Sequence, residues 1–302
     1  MKKNKVTYIP ARGKLIDATT VQTTSEKGDV NKISASKIII ATGARPKWFP
    51  GMEPDGDRVI TSKEAMVQEE QPKSLIIIGA GAIGIEFAHF YNTYGTEVTV
   101  IEALPTILPV EDLDVSKELL GIFKKRKMNI LTNTFVEKIK RLKTKVKVHT
   151  KDGQIIEADK ALIAVGVKGN IDDIGLEEVG INLDKGWIST DGYMQTNIEG
   201  VYAIGDVAGP PWLAHVASEE GIIAAEHLSG KNPEPMKYDN IPGCTYCHPE
   251  VASVGLTEKA AREAGYELKI GNFPFRALGK AMAVGDTDGF VKVIYDAKYG
   301  EL

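Results

Sequence analysis

The chain has 302 residues, 43% of them hydrophobic, enough for one large domain or two to three smaller ones. A formal net charge of −4 favours neither nucleic acid nor an anionic membrane, and no apolar run approaches the ~20 residues of a membrane span. Two cysteines, Cys244 and Cys247, cannot form a disulfide framework, and the basic start MKKNKVTYIP has no apolar core behind it; a reducing compartment, most simply the cytoplasm, is expected.

In chain order, a strand-rich opening leads to SKIIIATG (residues 36–43), the first of four Ile- and Val-rich runs that read as buried strands. The others are SLIIIG (74–79), TEVTVIE (96–102) and DKALIAVG (159–166). IGIEFAHFYNTYG (83–95) and VSKELLGIFKKRK (115–127) carry apolar residues at helical spacing; the second ends on Lys and Arg, as a helix C-terminus prefers. This alternation predicts an α/β fold with a parallel sheet. KTKVKVHTKDGQIIEADK (143–160) breaks the pattern, alternating polar and apolar residues around Asp152-Gly153, the turn signal of a hairpin. Two polar, proline-bearing seams stand at EEQPKS (69–74) and GKNPEPMKYDNIP (230–242). The second separates a helix-like run (218–230) from a new strand-like region.

LIIIGAGAIGIEFAHFYNTYGTEVTVIE (75–102) carries the clearest chemistry. Gly79, Gly81 and Gly84 form G-x-G-x-x-G after a predicted strand and before a predicted helix, with an acid about 20 residues on. Gly79 allows the tight turn, Gly81 lets backbone approach a pyrophosphate, and Gly84 lets helix and strand pack closely. The helix N-terminus offers free N–H groups to phosphates. Glu102 can accept hydrogen bonds from ribose hydroxyls and repels a 2′-phosphate. The sequence continues Ala103-Leu104-Pro105 with no arginine, so NAD is favoured over NADP. The alternatives are a tight turn without a ligand and an acid that merely ends a strand.

IIIATGARP (38–46) and VYAIGDVAG (201–209) are further apolar strands ending at glycine. Asp206, at a strand's C-terminal end, is placed to bind hydroxyls of a sugar or sugar alcohol; a turn or a helix cap explains either stretch equally well. Together, ATGARP, GAGAIGIE…VIE, ALIAVG and AIGDVAGPPWLAHVASEEG, in this order, resemble the flavin- and NAD-dependent disulfide oxidoreductases over nearly the whole chain. Within that family, LAHVASEEG (213–221), EALPTILP (102–109) and HPEVASVGLTE (248–258) are most similar to the dihydrolipoamide dehydrogenases.

The resemblance implies two nested Rossmann-like dinucleotide-binding domains, the NAD domain inserted into an incomplete FAD domain, and the start of an α+β interface domain. Residues 1–72 would be the end of the first FAD segment, 73–168 the NAD domain, 169–235 the second FAD segment and 236–302 the incomplete interface domain. FAD would be touched by Gly13, Thr42, Gly43, Asp206 (at the ribityl chain), Leu213, Ala214 and His215. NAD would be touched by Gly79, Ala80, Gly81, Ala82, Ile83, Gly84, Ile85, Glu86, Glu102, Val136 (at the adenine) and Gly166. Glu86 would lie near the nicotinamide; its alternative is an acid favoured by the helix dipole. The implied reaction passes electrons from dihydrolipoamide, or from a lipoyl domain of a 2-oxo acid dehydrogenase complex, through a disulfide and FAD to NAD⁺. The implied assembly is a homodimer, with no nucleic-acid or membrane partner. Another FAD-dependent disulfide reductase and a non-catalytic NAD-binding module are the alternatives.

The chain also departs from the family. No G-x-G-x-x-G precedes residue 75, no C-x-x-x-x-C follows one, and the His–Glu base pair of a His-Pro-rich stretch is missing. No catalytic residue is therefore expected in this chain, which reads as an internal fragment of a longer enzyme or the product of a truncated gene. Where the family continues the AVG strand with Arg and Pro, this chain has VKGN (167–170). Cys244 and Cys247 have C-x-x-C spacing, but zinc would need two more ligands and only His248 is near, so structural cysteines and no metal are expected. His89, His149 and His227 have no paired acid in the sequence pattern.

Overall fold

The structure is a computed structural model and describes residues 2–302. The chain divides into two compact units: residues 2–45 with Val167–Tyr238, and Pro46–Gly166 with Asp239–Leu302.

The second unit is built on a five-stranded parallel sheet, in the order Val59–Thr61, Lys160–Ile163, Ser74–Ile78, Glu97–Ile101, Asn129–Leu131. Its central strand shows why the sequence is so apolar there. Leu75 and Ile77 point to one face and pack with Ile85, Ala88, Leu119 and Phe123 of the helices Ala82–Thr93 and Leu113–Lys125. Ile76 and Ile78 point to the other and pack with Val146, Val148 and Ala158 of an antiparallel sheet. A strand covered on both faces needs apolar side chains at every position, not at alternate ones. After Ser74–Ile78 the chain steps outward twice, then returns to its other side as Lys160–Ile163. Ligands of open α/β sheets bind at the strand ends beside such a reversal.

Two features differ from the sequence reading. The hairpin Val146–Thr150/Ile155–Ala158 has a third strand, Val136–Arg141, whose sequence VEKIKR gives little apolar signal because only Val136 and Ile139 pack inward. Residues 46–72, read with the first FAD segment, group with the second unit. Val59 and Ile60 are fully buried, and their strand pairs with Lys160–Ile163 as the edge of the parallel sheet.

From Asp239 onward the second unit adds the pairs Gly243–Thr245/Val251–Ser253 and Leu268–Pro274/Phe290–Asp296, with the helix Glu258–Glu263 between them in sequence. The first unit holds an antiparallel meander (Ala11–Asp17, Thr20–Ser25, Val30–Ser34), the parallel pair Ile38–Ile40/Val201–Ala203 and the helix Ala214–Leu228. Its core gathers Leu15, Ile40, Leu176, Ile188, Val201 and Ala203. Among the described residues no helix is long and apolar enough to cross a membrane.

Candidate functional site

The glycine-rich turn leaves the C-terminal end of Ser74–Ile78. Gly79 has φ +103°, and a Cβ there would stand 2.3 Å from the Ala164 carbonyl oxygen. At Gly84 a Cβ would stand 2.0 Å from the Gly79 carbonyl oxygen, so helix and strand meet at a distance only glycine permits. Gly81 differs: it is the N-cap of Ala82–Thr93, with nothing within 4 Å of where a Cβ would be. No side chain caps this helix, which leaves the N–H groups of its first turn without a side-chain partner. An open approach to uncapped N–H groups fits a phosphate.

Glu102 follows Glu97–Ile101 and is 7% exposed. Its Oε2 accepts the Ala80 N–H at 2.7 Å and its Oε1 the Leu104 N–H at 2.8 Å. Its carbonyl accepts the Thr134 N–H at 2.9 Å, two residues before Val136, which is half-buried at the start of its strand. Gly166, with φ +105°, lies just past Lys160–Ile163, beside the Gly79 turn. The turn, Glu102 and Gly166 thus each follow the C-terminal end of one of three neighbouring strands. Ile85 is fully buried among core side chains and Ala80 is buried too, so a ligand would reach them through backbone alone. Ala82 and Ile83 are exposed. Glu86 already has a partner: its Oε1 accepts the Tyr246 N–H at 2.8 Å.

In the first unit, Thr42 and Gly43 follow Ile38–Ile40, and Asp206 lies in the 3₁₀ turn Gly205–Ala208 after the paired strand Val201–Ala203. The VKGN stretch is held by Asn170. Its Nδ2 donates to the Thr42 carbonyl at 2.8 Å, its N–H to the Gly43 carbonyl at 2.9 Å, and its carbonyl accepts the Thr42 hydroxyl at 2.8 Å. Arg45 donates to Asn170 Oδ1 at 2.8 Å and pairs with Asp172. Thr42, Arg45 and Asn170 share with Arg12 the wall of an open hollow of about 410 Å³. Gly13 lies mid-strand in the meander, next to Arg12. Leu213 is the N-cap of Ala214–Leu228, again with no side-chain cap, and Ala214 and His215 begin that helix.

Two residues of these surroundings escaped the sequence pattern. Asn170 showed only as a departure from the expected Arg-Pro. Glu220, 3% exposed, accepts the Gly205 N–H at 2.6 Å; its only trace in the sequence is an acid on the apolar face of a helix. Cys244 is half-buried on a strand, and Cys247 is buried with its Sγ 3.1 Å from the Pro249 carbonyl oxygen. Burial pushes the Cys247 thiol up to about 12, which keeps it protonated at neutral pH. Among the described residues no group of three or more His, Cys, Asp or Glu could hold a metal ion.

Comparison with known proteins shows the family. A family model described as "Pyridine nucleotide-disulphide oxidoreductase" matches residues 1–221, and one for the dimerisation domain of the same family matches residues 241–302. A dihydrolipoyl dehydrogenase of Rhizobium etli is 50% identical over 274 residues, 89% of this chain and 57% of the relative. One of Zymomonas mobilis is 46% identical over 307 residues, 100% of this chain and 66% of the relative. The chain therefore spans between 57% and 66% of the length of these two relatives. Among solved structures, LpdA from Mycobacterium tuberculosis superposes with a TM-score of 0.89 at 31% identity, covering 96% of this chain and 65% of that one. The HOCl-induced flavoprotein disulfide reductase RclA from Escherichia coli gives 0.87 at 28% identity, covering 96% of this chain and 66% of that one. With one family model running from the meander through the glycine-rich turn to the helix that carries Glu220, the chain belongs to the pyridine nucleotide-disulphide oxidoreductases.

Proposed function

We propose that this chain is the cofactor-positioning part of a flavoprotein that passes electrons from dihydrolipoamide, through a disulfide and FAD, to NAD⁺. The observation that carries the reading is the uncapped helix start at Gly81, with Glu102 hydrogen-bonded to the turn beside it. Relatives 43–50% identical that bear the name dihydrolipoyl dehydrogenase support the substrate. When bound, FAD takes an electron pair from a dithiol and NAD⁺ accepts it as hydride.

The chain's own residues hold and orient. Gly81 and the first turn of Ala82–Thr93 receive the NAD pyrophosphate, Glu102 the adenosine ribose, and Val136 borders the adenine. Gly166 lets backbone approach the dinucleotide, and Glu86 exchanges its Tyr246 partner for the nicotinamide end. Thr42, Gly43 and Asp206 hold FAD, Asp206 at the ribityl hydroxyls, with Gly13 and the backbone of Leu213, Ala214 and His215. Residues 73–168 form the NAD domain, with Val59–Thr61 completing its sheet. Residues 1–45, with 169–235, belong to the FAD domain, and 236–302 to the interface of a homodimer. The dithiol enters as dihydrolipoamide or on a lipoyl domain of a 2-oxo acid dehydrogenase complex, in the cytoplasm. Cys244 and buried Cys247 do not supply the redox disulfide.

The test is dithiol oxidation by the protein purified at its native length, with dihydrolipoamide compared against other dithiols and NAD⁺ against NADP⁺. Turnover with dihydrolipoamide and NAD⁺ is expected. Preference for another dithiol would replace the substrate within the same class of reductase. NAD⁺ binding without flavin would leave a binding module only.

A further inference from the structure

We infer that Glu220 is a positioning residue for FAD, holding the turn that presents Asp206. The inference rests on the proposed role of Asp206 at the ribityl chain.

Glu220 stands in the middle of Ala214–Leu228, on the buried face it shares with Val216, Ile223 and Ala224. An apolar side chain would fill that place without penalty. Burying a carboxylate is expensive unless its oxygens are met by donors. Here both are met. Oε2 accepts the Gly205 N–H at 2.6 Å, and Oε1 accepts the Tyr238 hydroxyl at 2.8 Å. Burial raises the Glu220 pKa, these two hydrogen bonds oppose the rise, and nearby Asp206 adds to it. A buried acid thus holds a short turn that itself carries an acid, Asp206.

The turn needs a holder. Gly205–Ala208 has no side-chain cap of its own: its N-cap is Ile204, in extended conformation. Gly205 has φ +70° and leads directly into Asp206. Glu220 supplies the missing cap from a different element, in the way an N-cap acid meets the first N–H groups of a helix. Small residues let the helix lie against the turn. A Cβ at Gly205 would be 3.5 Å from Ala217 Cβ, and one at Gly221 3.5 Å from Ile204 Cδ1. The same helix begins at Ala214, behind Leu213. One carboxylate thus fixes the offset between the Asp206 turn and the helix whose first residues are the other expected flavin contacts. Tyr238 holds the carboxylate from its far side.

The test is FAD titration of the flavin-stripped protein, read by flavin fluorescence, in four variants: Glu220→Leu, Glu220→Gln, Asp206→Ala and the double variant Glu220→Leu/Asp206→Ala. Thermal unfolding of each apoprotein serves as control. Glu220→Leu is expected to weaken FAD binding about tenfold, a size typical of lost positioning. Glu220→Gln is expected to restore it to within about twofold, because an amide can accept from Gly205 and donate to the tyrosine oxygen. In the Asp206→Ala background the Glu220→Leu effect should vanish, since residues acting as a unit are not additive. Equal Glu220→Leu effects in both backgrounds, or no effect beside a clear Asp206→Ala loss, would overturn the positioning role and leave the Asp206 reading standing. Unchanged FAD affinity in Asp206→Ala would overturn that reading itself. If Glu220→Leu does not fold, Tyr238→Phe carries the test. It is expected to weaken FAD about threefold only where Asp206 is present; an Asp206-independent effect, or none, overturns the role.

Discussion

Glu102 holds Ala80: its Oε2 accepts the Ala80 N–H at 2.7 Å, while its Oε1 accepts Leu104 N–H at 2.8 Å. The acid expected to read the ribose is therefore also the anchor of the glycine-rich turn. A guanidinium accepts nothing, so Glu102→Arg leaves two backbone donors without their acceptor, a loss of about 2–4 kcal/mol. It should also weaken NAD⁺ binding far more than NADP⁺ binding. Thermal denaturation and titration with both nucleotides check the two effects separately. Equal losses for both nucleotides would confine Glu102 to holding the turn.

The three glycines of the turn should respond differently to alanine. At Gly84 the new methyl would sit 2.0 Å from the Gly79 carbonyl oxygen, and at Gly79 2.3 Å from that of Ala164. Both contacts are with backbone, so Gly84→Ala and Gly79→Ala should each lose at least about 3 kcal/mol of stability. Gly81 has φ −73° and free space around it, so Gly81→Ala should fold with stability within about 0.5 kcal/mol of the parent. Its methyl would stand where the pyrophosphate approaches, and NAD⁺ affinity should fall at least about tenfold. Denaturant melts paired with NAD⁺ titration separate the cases. A Gly81→Ala protein that binds NAD⁺ normally would move the phosphates elsewhere.

Asn170 closes the end of the Val167–Gly169 strand through Thr42, Gly43 and Arg45. Asn170→Ala removes the amide donor to the Thr42 carbonyl and the acceptor of Arg45, but keeps the backbone bonds. A loss of about 1 kcal/mol is expected, because the site is only half-buried. Hydrogen-exchange mass spectrometry should show faster exchange in peptides covering residues 38–46 and 167–172, with the meander unchanged. Exchange unchanged at both would mean the backbone bonds alone hold the segment.

What could be read from the sequence follows from how local each signal is. Ser74–Ile78 carries four consecutive apolar residues, Leu75 to Ile78, because both its faces are covered, and the turn declares itself because Gly79 and Gly84 permit contacts no other residue allows. Glu102 was legible as a strand-end acid, though its grip on Ala80 was not. Val136–Arg141 was hidden because one of its faces is polar, and Val59–Thr61 because three residues carry no period. Asn170 and Glu220 act across 128 and 15 residues respectively, on backbone groups no spacing rule identifies. The farthest-reaching of these relationships joins Asp112 to Lys292 across 180 residues.

That contact yields a pH prediction. Lys292, its side chain 6% exposed on Phe290–Asp296, places Nζ 2.8 Å from Asp112, 2.6 Å from Asp114 and 2.8 Å from Glu258. Asp112 also accepts the Asp114 N–H, as N-cap of Leu113–Lys125, and the Glu258 N–H. Burial pushes Asp112 up, but the hydrogen bonds from Lys292, Glu258 and Asp114 outweigh it and hold its pKa below the ordinary 3.8. Hydrogen bonds from Lys292 and then Arg262 hold Glu258 below 4.5. Burial alone would lower Lys292, but the three carboxylates keep it above its ordinary 10.5. A depressed acid stabilises the fold fully above its unfolded pKa, and the gain is lost as pH falls through the folded one. A raised lysine does so below its unfolded pKa, and the gain is lost as pH rises through the folded one. The cluster's contribution should therefore be flat between 4.5 and 10.5 and decline on both sides. Lys292→Met should remove about 2 kcal/mol at neutral pH, discounted for the partly exposed acids, and flatten both limbs. Urea melts across the pH range check it; an acid limb as steep in Lys292→Met as in the parent would show that other carboxylates set the acid sensitivity.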